Sequence, residues 1–513
     1  MDTLFSEASS STKLVFSAAV VLLATYVIKQ VLVPSGKKYK LPPGPRRLPF
    51  VGTLLSHGFS PDEFSKLAAM YGDIVTFYVG RRRCMVLNSY DIIREALVDR
   101  GLDFAHRGQG WLRTKVNPHQ DGIIQADYTD TKRRLRNDSL SILRTLGVGK
   151  TVLEEKIAFE AAELVRVIAE RHGQAFDPSL SVNVHVLNVI HAVLFDERFD
   201  HTDKAINELI LITNDLMATG LEIGVLDFFP ALRFWPKFGR AMTTYQDCRN
   251  AICRFLDVRV DGHVTEHVSG MTHDYVHALM DRRSLGGGAG DSSNGDDDGG
   301  VAAVGRNDLR LLLQDFVVAG AETTASSLKW TIILMVNHPH IQQKVHDEID
   351  RVLGRERDVT LSDSDNLPFV CGIIWEVQRF KTIVPLAIHK RTLANTSLRG
   401  YDVPAHTRVF QNIKHVHMDP KTWGDPEVFR PERFINEQGE FVKHSHLIPF
   451  SLGKRQCLGE VLARQELFLF TATLLQKFRF ECADDVSGRI NDEGVMGFTY
   501  APKPFSVKAI LRC

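Results

Sequence analysis

Near the end of this 513-residue chain stands Phe450-Ser451-Leu452-Gly453-Lys454-Arg455-Gln456-Cys457-Leu458-Gly459, followed by a strongly helical run, Glu460 to Gln476. A thiol at a helix N-terminus beside Lys and Arg sits where the thiolate is favoured, by the helix dipole and by positive charge. Thiolate, not thiol, is the form that ligates a metal. A second group with chemical potential is Ala319-Gly320-Ala321-Glu322-Thr323-Thr324, at the centre of a helical run from Asp308 to Val336. Glycine inside a helix costs roughly 1 kcal/mol relative to alanine, and threonine hydroxyls can bond the preceding turn and bend the helix. Ala319 and Thr323 are four apart and share a face, so a small side chain there leaves room for a small ligand beside a hydroxyl. Taken alone, such a segment is explained more simply by close helix packing.

A third group is the pair Glu376 and Arg379, in a helix predicted over Phe369 to Lys381, with Pro431-Glu432-Arg433-Phe434 downstream. Glu and Arg three apart on an exposed face form a weak pair. Here the flanking Ile373, Ile374, Trp375 and Phe380 predict a buried pair that needs a further partner.

These groups must be positioned by the rest of the chain. Leu14 to Val33 is an apolar run of the length that crosses a bilayer. Its N-terminal flank carries Asp2, Glu7 and Lys13, whereas its C-terminal flank carries Lys29, Lys37, Lys38, Lys40, Arg46 and Arg47. The positive-inside rule puts the larger part in the cytoplasm and argues against a cleaved signal peptide. The expected organisation is a short lumenal stretch 1–13, a transmembrane anchor 14–33, a basic, proline-rich hinge 34–48 and a catalytic domain 49–513. Pro42-Pro43-Gly44-Pro45 makes the hinge stiff. Ile74 to Leu87 reads as a hairpin, and Pro385 to Ala387 and Leu398 to Val403 as short strands of a small β subdomain. Between Gly101 and Asp130 periodicity fades; loops of that length are usually functional, and Phe104, Trp111, Val116, Ile123 and Ile124 are candidates to line a pocket. Residues 286–300, rich in Gly and Asp, read as a flexible acidic loop, without the ligand spacing of a calcium-binding EF-hand.

Composition excludes several classes. Lys plus Arg and Asp plus Glu are 62 each, so nothing global points to nucleic acid. Seven scattered cysteines without a CxxC fit free thiols better than a disulfide framework or a zinc site.

The pattern Phe-x-x-Gly-x-Arg-x-Cys-x-Gly resembles the haem-binding loop of the cytochrome P-450 superfamily. The anchor, proline hinge, Ala-Gly-x-Glu-Thr helix, Glu-x-x-Arg and Pro-Glu-Arg-Phe segments follow in that family's order, with details most similar to its microsomal animal members. The resemblance implies a mainly α fold with a small β subdomain behind an N-terminal transmembrane helix, and haem b (iron protoporphyrin IX) as cofactor. It makes Cys457 the axial iron ligand, within a loop whose Phe450, Gly453 and Arg455 contact the haem. Ala319 leaves space for dioxygen, Thr323 orders the water that delivers protons, and Glu322 connects that water to solvent. Glu376, Arg379 and Arg433 become a structural network behind the cysteine loop. Propionate contacts fall to Arg455, to Arg136 in a basic helix begun at Lys132, to Lys132 itself where the family usually has tryptophan, and to His389 or Arg391, with the register among His389, Lys390 and Arg391 open.

Lys414, His415, Lys421, Arg430, Lys443, His444 and Lys454 come from segments expected near the cysteine loop, a basic face suited to an acidic electron donor. No Rossmann, flavin or iron–sulfur motif is present. Electrons would therefore come from a separate protein, which the resemblance implies is an NADPH-dependent flavoprotein reductase in the endoplasmic reticulum membrane, with cytochrome b5 as a further donor. The implied activity is insertion of one atom of dioxygen into an apolar substrate of the steroid, fatty-acid or xenobiotic class. Two alternatives remain at this level: a haem-thiolate isomerase or dehydratase acting on a peroxide, which tends to lack the Glu-Thr pair, and a non-enzymatic haem sensor or carrier.

Overall fold

The computed structural model describes residues 17–18, 21, 25 and 39–512, apart from 49, 54–55, 109, 117–121, 149–150, 271–272, 284, 287–303 and 485–487. Most of the predicted anchor 14–33 and nearly all of the acidic loop 286–300 lie outside the described residues. Among those described, no single helix is long and apolar enough to cross a membrane.

Helices dominate. The longer ones are α1 (Pro61–Tyr71), α2 (Asp130–Thr145), α3 (Thr151–Ala169), α4 (Ser179–Leu194), α5 (Lys204–Ala218), α6 (Gly220–Phe228), α7 (Pro236–Glu266), α8 (Tyr275–Arg282), α9 (Arg306–Asn337), α10 (Pro339–Val352), α11 (Pro368–Lys381) and α12 (Glu460–Lys477). Their starts follow local chemistry. Ser60 caps α1 ahead of Pro61, Thr129 caps α2, and Asp274 caps α8, each side chain accepting an otherwise unpaired backbone N–H. Helix α9 carries twenty buried residues, from Leu309 to Val336, and so runs through the core. Gly320 lets it approach α4, since a Cβ there would come within 2.6 Å of Ile190.

The β subdomain is small. Strands β1 (Ile74–Val79) and β2 (Arg82–Leu87) form the expected antiparallel hairpin. The sheet continues through β6 (Arg408–Gln411), parallel to β2, to β3 (Lys390–Arg391). Strands β4 (Thr396–Leu398) and β5 (Tyr401–Val403) form a separate hairpin. The expected strand at Pro385 to Ala387 is instead a turn, which ends where Ala387 takes φ 44°. The proline segment is strapped to the hairpin: Thr76 N–H donates to Pro43 O at 2.9 Å, and Lys40 and Asp402 exchange backbone and side-chain bonds. A stiff link is thereby fixed to the globule.

Candidate active site

The cysteine loop is shaped before any ligand is considered. Gly453 has φ +75°, and a Cβ at that position would lie 1.8 Å from Leu97 O, so only glycine fits. Cys457 N–H donates to Phe450 O at 2.9 Å, closing the loop on itself. The Phe450 ring packs under the Arg464 guanidinium at 4.9 Å. Cys457 precedes α12 by three residues and keeps accessible surface. Burial nevertheless pushes its thiol up; the Gly459 N–H and Arg136 pull the other way, and Glu460 adds to the rise. An accessible cysteine that is also closely surrounded faces a recess within the fold.

Helix α9 shows the same signature. Within its enclosed middle, Ala319 is exposed and Thr323 half-exposed. Thr323 Oγ1 donates to Ala319 O at 2.8 Å. Two structures tie this stretch to the cysteine loop. Thr324 Oγ1 donates to Glu466 Oε2 of α12 at 3.1 Å. Asp315 Oδ2 accepts Ile123 N–H and Ile124 N–H at 2.6 and 2.8 Å, while Arg455 donates to Ile123 O at 2.9 Å and to Ala126 O. The middle of α9 and the loop are thus bound to the same two neighbours, segment 122–127 and α12.

Glu322 departs from its expected placement. One residue along a helix is about 100° around it, and the Glu322 side chain is buried on a different face from Thr323. Its Oε1 accepts Ser326 Oγ at 2.5 Å, and Oε2 has no partner among the described residues. It does not reach bulk solvent.

The five residues expected at the propionates separate into two groups. Arg136 donates to Gln456 O at 2.5 Å, and Arg455 donates to Ala105 O at 2.8 Å as well as to segment 122–127. Both stand at the cysteine loop. Lys132 turns to Asp308 at the start of α9, 3.1 Å away. Arg391 is committed to Asp127 at 3.2 Å, to Arg107 O at 2.7 Å and to His406. His389 packs its ring on Phe410, centroids 5.3 Å apart, and burial, with Arg408 and Arg107 nearby, holds it well below the usual histidine range. Side chains alternate along a strand, so His389 and Arg391 leave one side and Lys390 the other.

Arg107 was not among the expected site residues, and Lys390 was one of three among which the register was open; together they complete the cluster. Both are buried. Arg107 donates to Ile124 O, Ile388 O and His389 O; Lys390 donates to Ile388 O. Burial and the neighbouring Arg455 and Arg136 push the Arg107 guanidinium down to about 9. Burial and Arg136 push Arg455 down to about 10. Lys390 is driven well below its ordinary value by burial, with Arg107 and Arg455 adding to it. None of these four cations bonds a carboxylate; among the described residues they hold backbone carbonyls only. Crowded, desolvated cations are costly; Asp315 near Arg107 and Asp127 near Arg455 offset only part of that charge, and the arrangement fits a bound dianion. An accessible thiol at the same loop supplies the soft ligand a haem iron takes. The donor set therefore fits haem.

Behind the loop, Arg379 donates Nε and Nη2 to the two Glu376 oxygens, both at 2.7 Å, and Arg433 Nε reaches Glu376 at 3.1 Å. The three side chains are almost completely enclosed. Arg433 also donates to Trp423 O and Val428 O, and Arg379 to His417 O. The link forward to the loop is His417. Its Nε2 accepts Ile448 N–H at 3.0 Å, so Nδ1 carries the proton and donates to Thr382 Oγ1 at 2.8 Å, which donates to Arg379 O. Burial and Arg379 hold His417 at about 3, neutral and able to accept.

The expected pocket wall is dispersed. Phe104 packs against the β-subdomain cluster, Trp111 and Val116 against α6 and α7, and Ile123 in the main core.

Residues 42–509 match the family model described as cytochrome P450. The chain is 34% identical over 488 residues to "Vitamin D(3) 25-hydroxylase" of Sus scrofa, covering 92% of this chain and 93% of that protein. It is 33% identical over 479 residues to cytochrome P450 2D19 of Callithrix jacchus, with 92% and 94% covered. To cytochrome P450 2U1 of Rattus norvegicus it is 33% identical over 499 residues, with 91% and 90% covered. The chain belongs to the cytochrome P450 family of haem-dependent monooxygenases.

Proposed function

We propose that this P450 holds haem b through Cys457 and inserts one atom of dioxygen into an apolar substrate, a steroid, fatty acid or xenobiotic. The observation that carries the reading is the cluster of Arg107, Arg136, Lys390 and Arg455, four cations around a cysteine loop whose side-chain hydrogen bonds, among the described residues, go to backbone carbonyls. Two propionates would bring two counter-charges to that cluster. Charge-assisted bonds to carboxylate are about twice as strong as those to neutral carbonyls, so exchange of partners is favourable.

When bound, the haem supplies the redox chemistry, its iron made electron-rich by the thiolate. The chain supplies placement and protons. Ala319 keeps the helix surface low at the recess, and Thr323 holds a proton at Oγ1, now directed at Ala319 O. Rotation of that hydroxyl toward the recess would let it donate to a reacting oxygen. Glu322, the nearest carboxyl along the helix, is buried on another face against Ser326 and is not placed to replenish that proton directly.

Electrons are assigned to a separate NADPH-dependent reductase, with cytochrome b5 as an auxiliary donor. Lys421, Lys443 and Lys454 are exposed and available to such a partner, whereas Lys414 is paired with Asp62 and Arg430 with Asp425. An endoplasmic reticulum membrane location, with the catalytic domain in the cytoplasm, rests on the apolar run 14–33 and its basic flank. The exposed Phe234 and Trp235 between α6 and α7 suit contact with the same membrane. One relative bears a hydroxylase name for an apolar molecule, in line with the substrate class.

The test is turnover with purified reductase. NADPH consumption that needs both reductase and an apolar substrate, with a product heavier by one oxygen atom, is expected. Rearrangement of a lipid peroxide without reductase, and no NADPH-dependent product, would overturn the reading in favour of an isomerase.

A further inference from the structure

Away from the haem recess, the end of α7 meets the start of α8 in a concentration of imidazoles. His263, Asp274 and His277 present one ligand atom each, and these atoms lie within 4.8 Å of one another. His263 Nε2 is 3.0 Å from Asp274 Oδ2, and His277 Nδ1 is 2.8 Å from the same oxygen. Asp274 is 2% exposed and His263 is also buried.

The surrounding bonds orient these atoms inward. His263 Nδ1 lies 2.9 Å from Arg259 O, which can only accept, so that nitrogen carries a proton. In the neutral ring Nε2 then bears the lone pair, and it faces a carboxylate oxygen that is itself only an acceptor. When protonated the ring instead donates Nε2–H to that oxygen; burial opposes the charge, but Asp274 and Arg259 O outweigh it and hold His263 above the usual histidine range, so a metal ion here would take the place of that proton. Asp274 Oδ1 is held by His277 N–H at 2.9 Å in capping α8, which aims Oδ2 at the two imidazoles. A carbonyl on the far nitrogen of a histidine and a backbone bond on a carboxylate are the supports that metal ligands commonly have. At the rim, His267 stacks on His277 and bonds Asp281.

We propose that His263, Asp274 and His277 form a binding site for a divalent ion of the zinc class, clamping the end of α7 to the start of α8. Two imidazoles and a carboxylate suit zinc, with a fourth position open to water. Tetrahedral ligands at zinc distances lie roughly 3.4 Å apart, so small side-chain movements suffice. The clamp would extend to the haem side of the molecule. Tyr275 Oη of α8 donates to Ser139 Oγ at 2.6 Å and Arg283 bonds Asp138, both on α2, the helix that carries Arg136.

The experiment uses the full-length haem-loaded protein, stripped with chelator and equilibrated with buffered free zinc. Metal per chain is measured for wild type, Asp274→Asn and His277→Gln. Asparagine keeps an oxygen for the helix cap, so the fold should persist in the first variant. Wild type is expected to hold one zinc that both variants bind more than about tenfold more weakly, and zinc should raise the thermal midpoint of wild type only. X-ray absorption at the zinc edge of wild type, which needs no variant, should show nitrogen and oxygen neighbours with imidazole scattering and no sulfur. Equal zinc uptake by all three proteins, or a sulfur shell placing the ion on cysteine, would overturn the proposal.

Discussion

At the scale of single residues, the cations around the cysteine loop make the sharpest prediction. Lys390 and Arg107 face the cluster, whereas His389 and Arg391 are engaged elsewhere. Lys390→Met should therefore lower haem retention and His389→Gln should leave it near wild type, as read from the haem-to-protein ratio after gel filtration. Equal losses would remove Lys390 from the site. The cysteine loop and the Glu-Thr pair were legible because each is a contiguous motif whose residue types carry their chemistry. Of the cation cluster, Arg136 and Arg455 were expected through the resemblance, whereas Arg107 and the choice of Lys390 were not, since the members come from four segments. Arg107 sits in a stretch without periodicity, and a one-residue uncertainty in a two-residue strand reverses which side chain faces inward. Glu322 shows a different limit, for its neighbourhood depends on what packs around α9.

At the scale of elements, two buried groups predict opposite responses to pH. His417 joins the Glu376–Arg379–Arg433 network to the cysteine loop and stays neutral down to about 3, against an ordinary 6.5. Between those values the unfolded chain binds a proton that the folded chain refuses, so stability falls as pH drops through this window. His417→Gln should flatten the acid limb of a denaturation-versus-pH curve while weakening the loop's hold on haem. An unchanged acid limb would contradict the role. Glu466, joining α12 to α9, is raised by burial to about 8 from 4.5. Here the folded chain keeps a proton that the unfolded one loses, so stability declines as pH rises from 4.5 to 8. Glu466→Gln should gain stability relative to wild type at alkaline pH and little near pH 5, measured by urea denaturation. The network itself predicts a large effect. Removing one member of an enclosed ion pair costs about 3–5 kcal/mol, so Arg379→Ala should express with little haem; full haem content would refute the lock. The Glu-x-x-Arg pair was readable from its apolar flanks. His417 was not, because its value lies in bonds to Arg379, Thr382 and Ile448, residues brought together only by folding.

At the scale of the whole molecule, one long helix passes through the core, and the cysteine loop is fixed against it by segment 122–127 on one side and α12 on the other. The central helix, the Glu-x-x-Arg helix, the helix after the cysteine and the β hairpin were readable from the sequence, whereas the turn at Pro385 to Ala387 was not, since its apolar residues mimic a strand. Exposed Lys421, Lys443 and Lys454 predict a charge-steered partner. Changing all three to Gln should slow reductase-supported reduction at low salt, with the difference fading as ionic strength rises. A salt-independent deficit would assign them another role. The central claim is that Cys457 ligates a haem held by the surrounding cations. Its most direct test is the carbon monoxide difference spectrum of the reduced, haem-loaded protein, for wild type and Cys457→His. The thiolate-type Soret band in wild type, lost in the variant, is the predicted result. A wild-type spectrum of the imidazole-ligated type in otherwise folded protein would contradict it.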